Sequence, residues 1–595
     1  MLLTKRTLLY LFLMLLPPLG IEECNAINIE YDKHTDQFSS RKKIKGHVVD
    51  SKGEILIGAT VKVKGEPDGT VTNAEGEFSL VVEQDAILQI SFVGCETKEV
   101  PVRGQTEFEI LLKEDTVMLD PIIVTALGIE KKESSLSYSA MQLKSDELNR
   151  VKDPNMITAL AGKAAGVQIS KNSSGPGASA KVSIRGIRSV VSDNQPLYVI
   201  DGVPMLNSTS EQAYSAIGGT ANAGNRDGGD GISNLNPEDV ESITILKGAP
   251  AAALYGSQAA NGVILITTKK GSESGVHKVS FSTSLTVDNA FSLPEMQNRY
   301  GVSDDVDSWG AKAELPDQDN LKNFFRTGFT SITSISVSHG NEKLQNYFSY
   351  ANTSGRGIID KNQLSKHNLN FRETSSLFNG RLKLDGSVNV MRQVVKNKPV
   401  TGGFYMNPLV GLYRFPRGED LSYYKDHFEV YDEDRKLNVQ NWHTSFEDFE
   451  QNPYWIVNRI QSKDTRSRII TSLSARVKVN DWLDIQARGT MDYANDKLRQ
   501  KFYASTAPAL AGVNGRYIEM DYQEVLLYGD VMATAKKKWG DISLDAAMGA
   551  SINDKIVNSV RYDSKTASLK FPNVFNLANI IMNGSASLDQ KIDAH

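Results

Sequence analysis

A two-residue alternation in the C-terminal half constrains this chain more than any other feature. In residues 381–390, Leu382, Leu384, Gly386, Val388 and Val390 form one alternate set, and Arg381, Lys383, Asp385, Ser387 and Asn389 form the other. The same split separates Leu483, Ile485, Ala487, Gly489, Met491 and Tyr493 from Asp484, Gln486, Arg488, Thr490 and Asp492. It also separates Ile542, Leu544, Ala546, Met548 and Ala550 from Asp541, Ser543 and Asp545. Side chains on a strand point alternately to opposite faces, so each segment is a strand of about ten residues with one apolar and one wet face. A soluble β-sandwich and a transmembrane barrel both produce this pattern. Loop lengths separate them: Asn480-Asp481 and Gly540-Asp541 are tight turns, whereas residues 391–463 are a long interval rich in Tyr, Phe and Trp. Short turns at one end and long loops at the other are the pattern of an outer-membrane barrel.

The remaining bulk properties exclude other classes. The longest apolar run, Leu8 to Leu16, is well short of the roughly 20 residues a helical span needs, so a polytopic helical membrane protein is excluded. That run follows Lys5 and Arg6 and precedes small residues near Ala26, which predicts a signal peptide over residues 1–26 and export of the rest. Residues 27–43 are polar and charged, and are expected to be a flexible leader. With Cys24 removed, Cys95 is the only cysteine left, so no internal disulfide is expected. The 66 Lys and Arg against 71 Asp and Glu leave a net charge of −5, which gives no basis for nucleic-acid binding.

Between leader and alternating half, residues 44–115 carry about seven short strands punctuated by Ser51-Lys52-Gly53, Asp68-Gly69 and Asn73-Ala74-Glu75-Gly76, which predicts a small β-sandwich. Residues 117–130, including MLDPIIVTALGI from Met118, combine a Pro with β-branched residues and favour an extended chain. Such a segment can add a strand to another protein's sheet, or serve as an ordinary linker. Residues 134–271 read as a compact α+β domain. Its landmarks are a short helix from Pro154 to Leu160, strands at Val167 to Ile169, Val240 to Leu246 and Gly262 to Thr268, and a small-residue helix around Ala249 to Tyr255.

The blocks IKGHVVDSKGEILIGATVKVKG and GTVTNAEGEFSL resemble the carboxypeptidase-regulatory-like domain, with no zinc-ligand spacing, since His47 is the only His in it. VSIRGIRS (182–189), PLYVIDGVP (196–204) and NPEDVESITILKGAPAAALYGSQAANGVILITTKKG (236–271) match in order the plug of TonB-dependent transporters. With DPIIVTALGI upstream similar to a TonB box, the order of parts resembles the SusC/RagA subfamily. The implied fold is mainly β: a regulatory-like sandwich, an α+β plug, then an incomplete transmembrane antiparallel barrel over residues 276–595. The resemblance implies an outer-membrane location and import of a glycan or peptide. It further implies a SusD-like lipoprotein partner and a TonB complex that pairs a strand with Asp120, Pro121, Ile122, Ile123, Val124 and Thr125.

About nine or ten strands follow Val276, whereas a lumen enclosing a folded plug needs about 22. Residues Lys591 to His595 also lack the closing amphipathic strand with a terminal aromatic that is usual in that family, so the chain is expected to be the front of a longer transporter. Arg185 and Arg188 fit either a latch between plug and barrel or a local fold role. Tyr405, Trp442, Tyr454 and Trp455 fit either stacking on a sugar face or loop packing. Asn452-Pro453-Tyr454-Trp455 looks like a recurrent family motif. No catalytic residue, cofactor or metal site is expected: the eight His are scattered, no phosphate-binding loop exists, and Asp304, Asp305 and Asp307 lack Ca²⁺-loop spacing. A surface receptor or adhesin without transport, a truncated transporter without function, and a secreted carbohydrate-active enzyme are the alternatives.

Overall fold

The computed structural model describes residues 42–51, 53–64, 69–92, 95–113, 122–124, 130–132, 140–189, 194–208, 226–247, 255–272, 275, 277–303, 308–316, 318–400, 402, 405–444, 450–540, 542–565, 569–581 and 587–594. The chain divides into two compact units, residues 1–120 and 121–595.

In the first unit, seven strands form a sandwich. One sheet has the order β4-β1-β7, from β1 (Lys42–Val49), β4 (Glu77–Val82) and β7 (Glu107–Leu111), with β1 and β7 parallel. The other has the order β3-β2-β5-β6, from β2 (Thr60–Val63), β3 (Gly69–Val71), β5 (Ile87–Ser91) and β6 (Lys98–Pro101). Alternation drives the packing: Phe108 and Ile110 point inward between exposed Glu107 and Glu109, and meet Ile44, Val48, Val61, Leu88 and Ile90. Gly46 is required where the Phe78 ring crosses β1, because a Cβ there would lie 2.5 Å from Phe78 Cε1.

The second unit begins with a short hairpin, β8 (Ile122–Val124) antiparallel to β9 (Glu130–Lys132), with Ile123 opposite Lys131. An α+β domain follows. Its sheet has the order β10-β15-β16-β13-β14, built from β10 (Ala140–Lys144), β13 (Leu197–Ile200), β14 (Val203–Pro204), β15 (Val240–Leu246) and β16 (Val263–Thr268). A side hairpin pairs β11 (Val167–Lys171) with β12 (Ala180–Ile184). The expected helix at Pro154 is a helical turn, Met156–Leu160, started by Asn155, whose side chain accepts from the Ile157 N–H. Ile157, Val182, Tyr198, Ile243, Ile245 and Ile264 fill the core. Residues 248–254, which hold most of the helix expected at 249–255, lie outside the described residues, as do Asp304, Asp305 and Asp307.

Around this domain runs one ten-stranded antiparallel sheet. Its strands are β17 (Lys278–Asp288), β18 (Gly328–Gly340), β19 (Leu344–Arg356), β20 (Gln363–Leu377), β21 (Leu382–Lys396), β24 (Ile460–Asn480), β25 (Leu483–Phe502), β26 (Arg516–Trp539), β27 (Ile542–Asp563) and β28 (Ser587–Ala594). The hairpin of β22 (Glu429–Asp432) and β23 (Leu437–Gln440) stands in the long connection between β21 and β24. That connection also holds helices Pro408–Arg414 and Pro453–Arg459. The strand count agrees with the sequence reading, and tight turns lie at one end, as at 341–343, 378–381 and 481–482. Long connections lie at the other. Among the described residues no helix is long and apolar enough to cross a membrane.

The sheet is inverted relative to a soluble one. On β20, Lys366, Asn368, Asn370 and Arg372 are buried against the α+β domain, while Leu369 and Phe371 face outward and are exposed. Strand lengths depart from the expected ten residues: β25 has 20 and β26 has 24. The reason lies in the outward face of β25, which is apolar from Leu483 to Tyr493 and then turns to Asn495, Lys497, Arg499 and Lys501. Only the apolar half has the kind of surface that hydrocarbon accepts. At about 3.3 Å per residue and a tilt of about 40°, that half is about 25 Å tall, the height of an outer-membrane apolar band.

Candidate functional site

The chemistry of this chain concentrates where inward side chains of the large sheet meet the α+β domain. Arg468 on β24 is 1% exposed. Its Nε donates to Asp492 Oδ1 at 2.8 Å and its Nη2 to Asp492 Oδ2 at 2.6 Å, a bidentate pair with the neighbouring strand. The remaining donors enter the α+β domain, with Nη1 reaching the Gly231 carbonyl at 2.7 Å and Nη2 the Leu206 carbonyl at 2.6 Å. Asp492 Oδ2 also accepts from the Leu206 N–H at 3.0 Å. Gly231 makes room: a Cβ there would lie 2.3 Å from the Leu206 carbonyl oxygen.

Four further contacts repeat the device. Lys366 Nζ donates to the Pro154 and Ser233 carbonyls at 2.8 and 3.0 Å. Arg372 Nη1 bonds Asp201 Oδ2 at 3.0 Å and Thr268 Oγ1 at 2.5 Å, while its Nε is held by Asp385 on β21 at 3.1 Å. Tyr347 Oη donates to Asp239 Oδ1 at 3.0 Å, and Arg226 pairs with Asp464 at 2.5 Å. The Gly175-Pro176-Gly177 turn lies against the wall, its Gly177 at φ +82° beside Val395 and Leu364. Inside the domain, burial pushes the Asp230 carboxyl above its ordinary range, although hydrogen bonds from Ala180, Ser233 and Asn155 pull the other way. Burial likewise raises Asp239 against bonds from Ser349, Tyr347 and Asn236.

An interface made of cations on backbone carbonyls is strong when dry. Each charged bond contributes about 1.5–3 kcal/mol, yet water can replace every partner once the domain shifts. The arrangement suits a stopper that is firmly seated and still removable.

The sequence-predicted residues fall elsewhere. Arg188 Nη1 donates to the Ala260 carbonyl at 2.8 Å, within the α+β domain, and Arg185 is exposed at φ 60°. The latch offered for this pair is corrected in favour of the local role: among the described residues the charged contacts between domain and strand wall include the wall's Arg468, Arg372 and Lys366 and the domain's own Arg226, but neither Arg185 nor Arg188. Trp455 is also corrected, since it is 1% exposed with its indole N–H on Thr506 Oγ1 at 3.2 Å, and its ring faces are covered. Trp442 packs on Phe415, ring centres 5.5 Å apart, and donates to Glu450 at 3.2 Å. Tyr454 packs on Phe324 at 5.5 Å, and burial pushes its hydroxyl up to about 12. Tyr405 is half-buried, with its carbonyl bonded by Gln451. The loop aromatics thus build a packed cap. Asn452 is buried within it and starts helix Pro453–Arg459 by accepting from the Tyr454 N–H, a structural reason for the Asn-Pro-Tyr-Trp block. Of the strand-adding segment, Ile122, Ile123 and Val124 form β8, while Asp120, Pro121 and Thr125 lie outside the described residues.

Residues 131–263 match the family model of the TonB-dependent Receptor Plug Domain, and residues 44–124 match that of the CarboxypepD_reg-like domain. The chain is 35% identical over 367 residues to the TonB-dependent receptor SusC of Bacteroides thetaiotaomicron. Its plug and N-terminal domain are similar to those of the SusC/RagA-type TonB-dependent receptors. That match covers 60% of this receptor and 34% of SusC, and one to the TonB-dependent receptor P3 of Formosa agariphila, at 27% identity, covers 80% and 44%. The chain therefore spans less than half the length of either relative. The structure of the RagAB peptide importer in its open-open state aligns at TM-score 0.61 and 20% identity, over 80% of this receptor and 53% of that chain, a likeness of fold. The α+β domain is the receptor's plug, the large sheet is barrel wall, and the receptor is a protein of the outer membrane.

Proposed function

We propose that this receptor imports a nutrient too large for simple porins, a glycan or a peptide, using work delivered by the inner-membrane TonB complex. The observation that carries the reading is the plug seated by Arg468, Lys366 and Arg372 on a polar wall. Such a seat opens by exchanging protein bonds for water. In this reading residues 1–26 direct export, the long-loop end faces the exterior, and a SusD-like lipoprotein caps it. The likeness to SusC supports TonB-dependent import, and the fold shared with a peptide importer is compatible with a peptide. The chain itself supplies no chemistry to the solute and acts as a conduit, not an enzyme.

TonB adds its strand to residues 120–125, and the local pairing of Ile123 with Lys131 leaves one edge of β8 for it. Deleting residues 120–125 is expected to abolish uptake while leaving surface binding of solute intact. Undiminished uptake would overturn the proposal in favour of a passive receptor. In vitro, a 115–130 peptide should bind the periplasmic TonB domain and an Ile123→Pro version should bind more weakly, because proline removes a ladder donor. Equal binding would count against strand pairing.

A further inference from the structure

Outward residues can be followed strand to strand through the ladder register. Val390, Ile469, Tyr493, Val525 and Ile556 form the last apolar row toward the long-loop end. Two residues further along each strand the row becomes Arg392, Ser467, Asn495, Gln523 and Asn558. Two more bring Val394, Thr465, Lys497, Asp521 and Val560, and a further two bring Lys396, Lys463, Arg499, Glu519 and Tyr562. At about 3.3 Å per residue and about 40° of tilt, these rows stand about 5, 10 and 15 Å beyond the apolar band. Lys501 lies one row further out on β25, beside the Phe575 ring.

Six cations thus occupy three adjacent strands, β21, β24 and β25, against two carboxylates on β26. Lys396, Lys463 and Arg499 stand directly opposite one another, which weakens a sheet unless an anion offsets the repulsion. Glu519 answers Arg499 at 2.9 Å and Asp521 answers Lys497 at 3.1 Å. Among the described residues, Arg392, Lys396 and Lys463 have no carboxylate at ion-pair distance, and all three are exposed. They face away from the lumen, so an imported solute does not meet them.

We propose that this outward cluster binds the phosphate-bearing headgroup of a glycolipid in the outer leaflet. Arg392 lies at headgroup depth, where its planar fork matches a phosphate with two parallel bonds. Lys396 and Lys463 stand above it, at the depth of the anionic inner sugars, and their flexible stems reach down to share the charge. A zwitterionic lipid brings no net charge to offset the triad. A diacyl phospholipid ends too low to engage Lys396 and Lys463.

The inference rests on the proposed orientation, with the long-loop end outward. The test extracts the full chain from outer membranes in detergent and adds lipid A or phosphatidylglycerol, counting bound lipid by native mass spectrometry. R392Q/K396Q/K463Q is compared with a control at the opposite rim, K536Q/K538Q. Expected is one lipid A per chain on the wild type and the control, an at least tenfold weaker adduct on the triple variant, and weak phosphatidylglycerol binding throughout. Equal lipid A binding by the triple variant overturns the site, and equal binding of phosphatidylglycerol overturns its glycolipid specificity. A wild type washed from the membrane by carbonate also overturns it, but through failure of the membrane reading, whereas carbonate resistance with unchanged adducts isolates the failure to this cluster.

Discussion

Arg468→Met is the most informative single perturbation of the seat. It removes a guanidinium bonded to Asp492, Gly231, Leu206 and Asn234, and leaves the buried Asp492 carboxylate with the Leu206 N–H. Breaking a buried pair from one side costs about 3–5 kcal/mol, chiefly the penalty of the stranded charge. Orphaned carbonyls at Gly231 and Leu206 add to that where water cannot reach them. At about 1.4 kcal/mol per tenfold, amide exchange in residues 205–208 and 230–235 is expected to accelerate by roughly two to three and a half powers of ten. Hydrogen exchange followed by mass spectrometry reads this directly, with the sandwich core around Ile44 and Leu88 as an unaffected internal reference. The companion is R468M/D492L, which removes both charges. It should recover part of the loss, since a well-packed apolar pair replaces an ion pair at small net cost. If the single variant exchanges like wild type, or the double exchanges faster than the single, the seat is not held by this pair.

Gly231→Ala should loosen the same region without touching a charge, because the new Cβ meets the backbone of Leu206 and Asn207 at 2.3 and 2.7 Å; exchange confined to residues 205–208 and 230–235 would show it. Asp230 and Asp239 have raised carboxyls, so the folded plug holds their protons more tightly than the unfolded chain. Their stabilising contribution is full below the ordinary carboxylate range and is lost as pH rises through their raised values. Plug exchange should therefore slow on moving from pH 7 toward pH 5, and Asp239→Asn should flatten that dependence; a plug that loosens on acidification refutes the sign. Leu473→Arg places a charge on an exposed apolar residue in the middle of the band, at an expected cost of about 2–4 kcal/mol in lipid. Urea titration in vesicles measures it, and indifference to the substitution would argue that this face does not meet hydrocarbon.

Much of the architecture could be read from residue order because its determinants are local. The alternation at 381–390 and 483–493 depends only on the pleat, and Asp385, Arg488 and Asp492, read there as the wet face, do face the plug side. The seat was legible only in part. Arg468 and Lys366 occupy inward positions of β24 and β20, yet their partners are carbonyls of Gly231, Leu206, Pro154 and Ser233, and a backbone carbonyl has no residue-type signature. The Arg185 and Arg188 assignment failed for a related reason. Two arginines in a loop invite a partner, but Arg188 found one in its own domain, at Ala260. The loop aromatics misled because aromatic faces suit a sugar and a protein core equally. Trp455 went to the core once Asn452 and Pro453 started a helix beneath it.

Because β24 to β27 continue past the apolar band, the wall rises well clear of the lipid before any loop begins. From Tyr493 to Phe502 the strand adds nine residues, about 23 Å of height at the same tilt. The helices and aromatic cap therefore stand on a hydrogen-bonded collar rather than at the membrane surface. A solute entering between neighbouring strands would have to break a continuous ladder from both sides, so this part of the wall closes off lateral entry from the lipid phase. On the proposed import, passage follows the axis, over the rim and down onto the plug. A collar this stiff also transmits little bending, and that assigns the moving part of any gate to the stopper inside it.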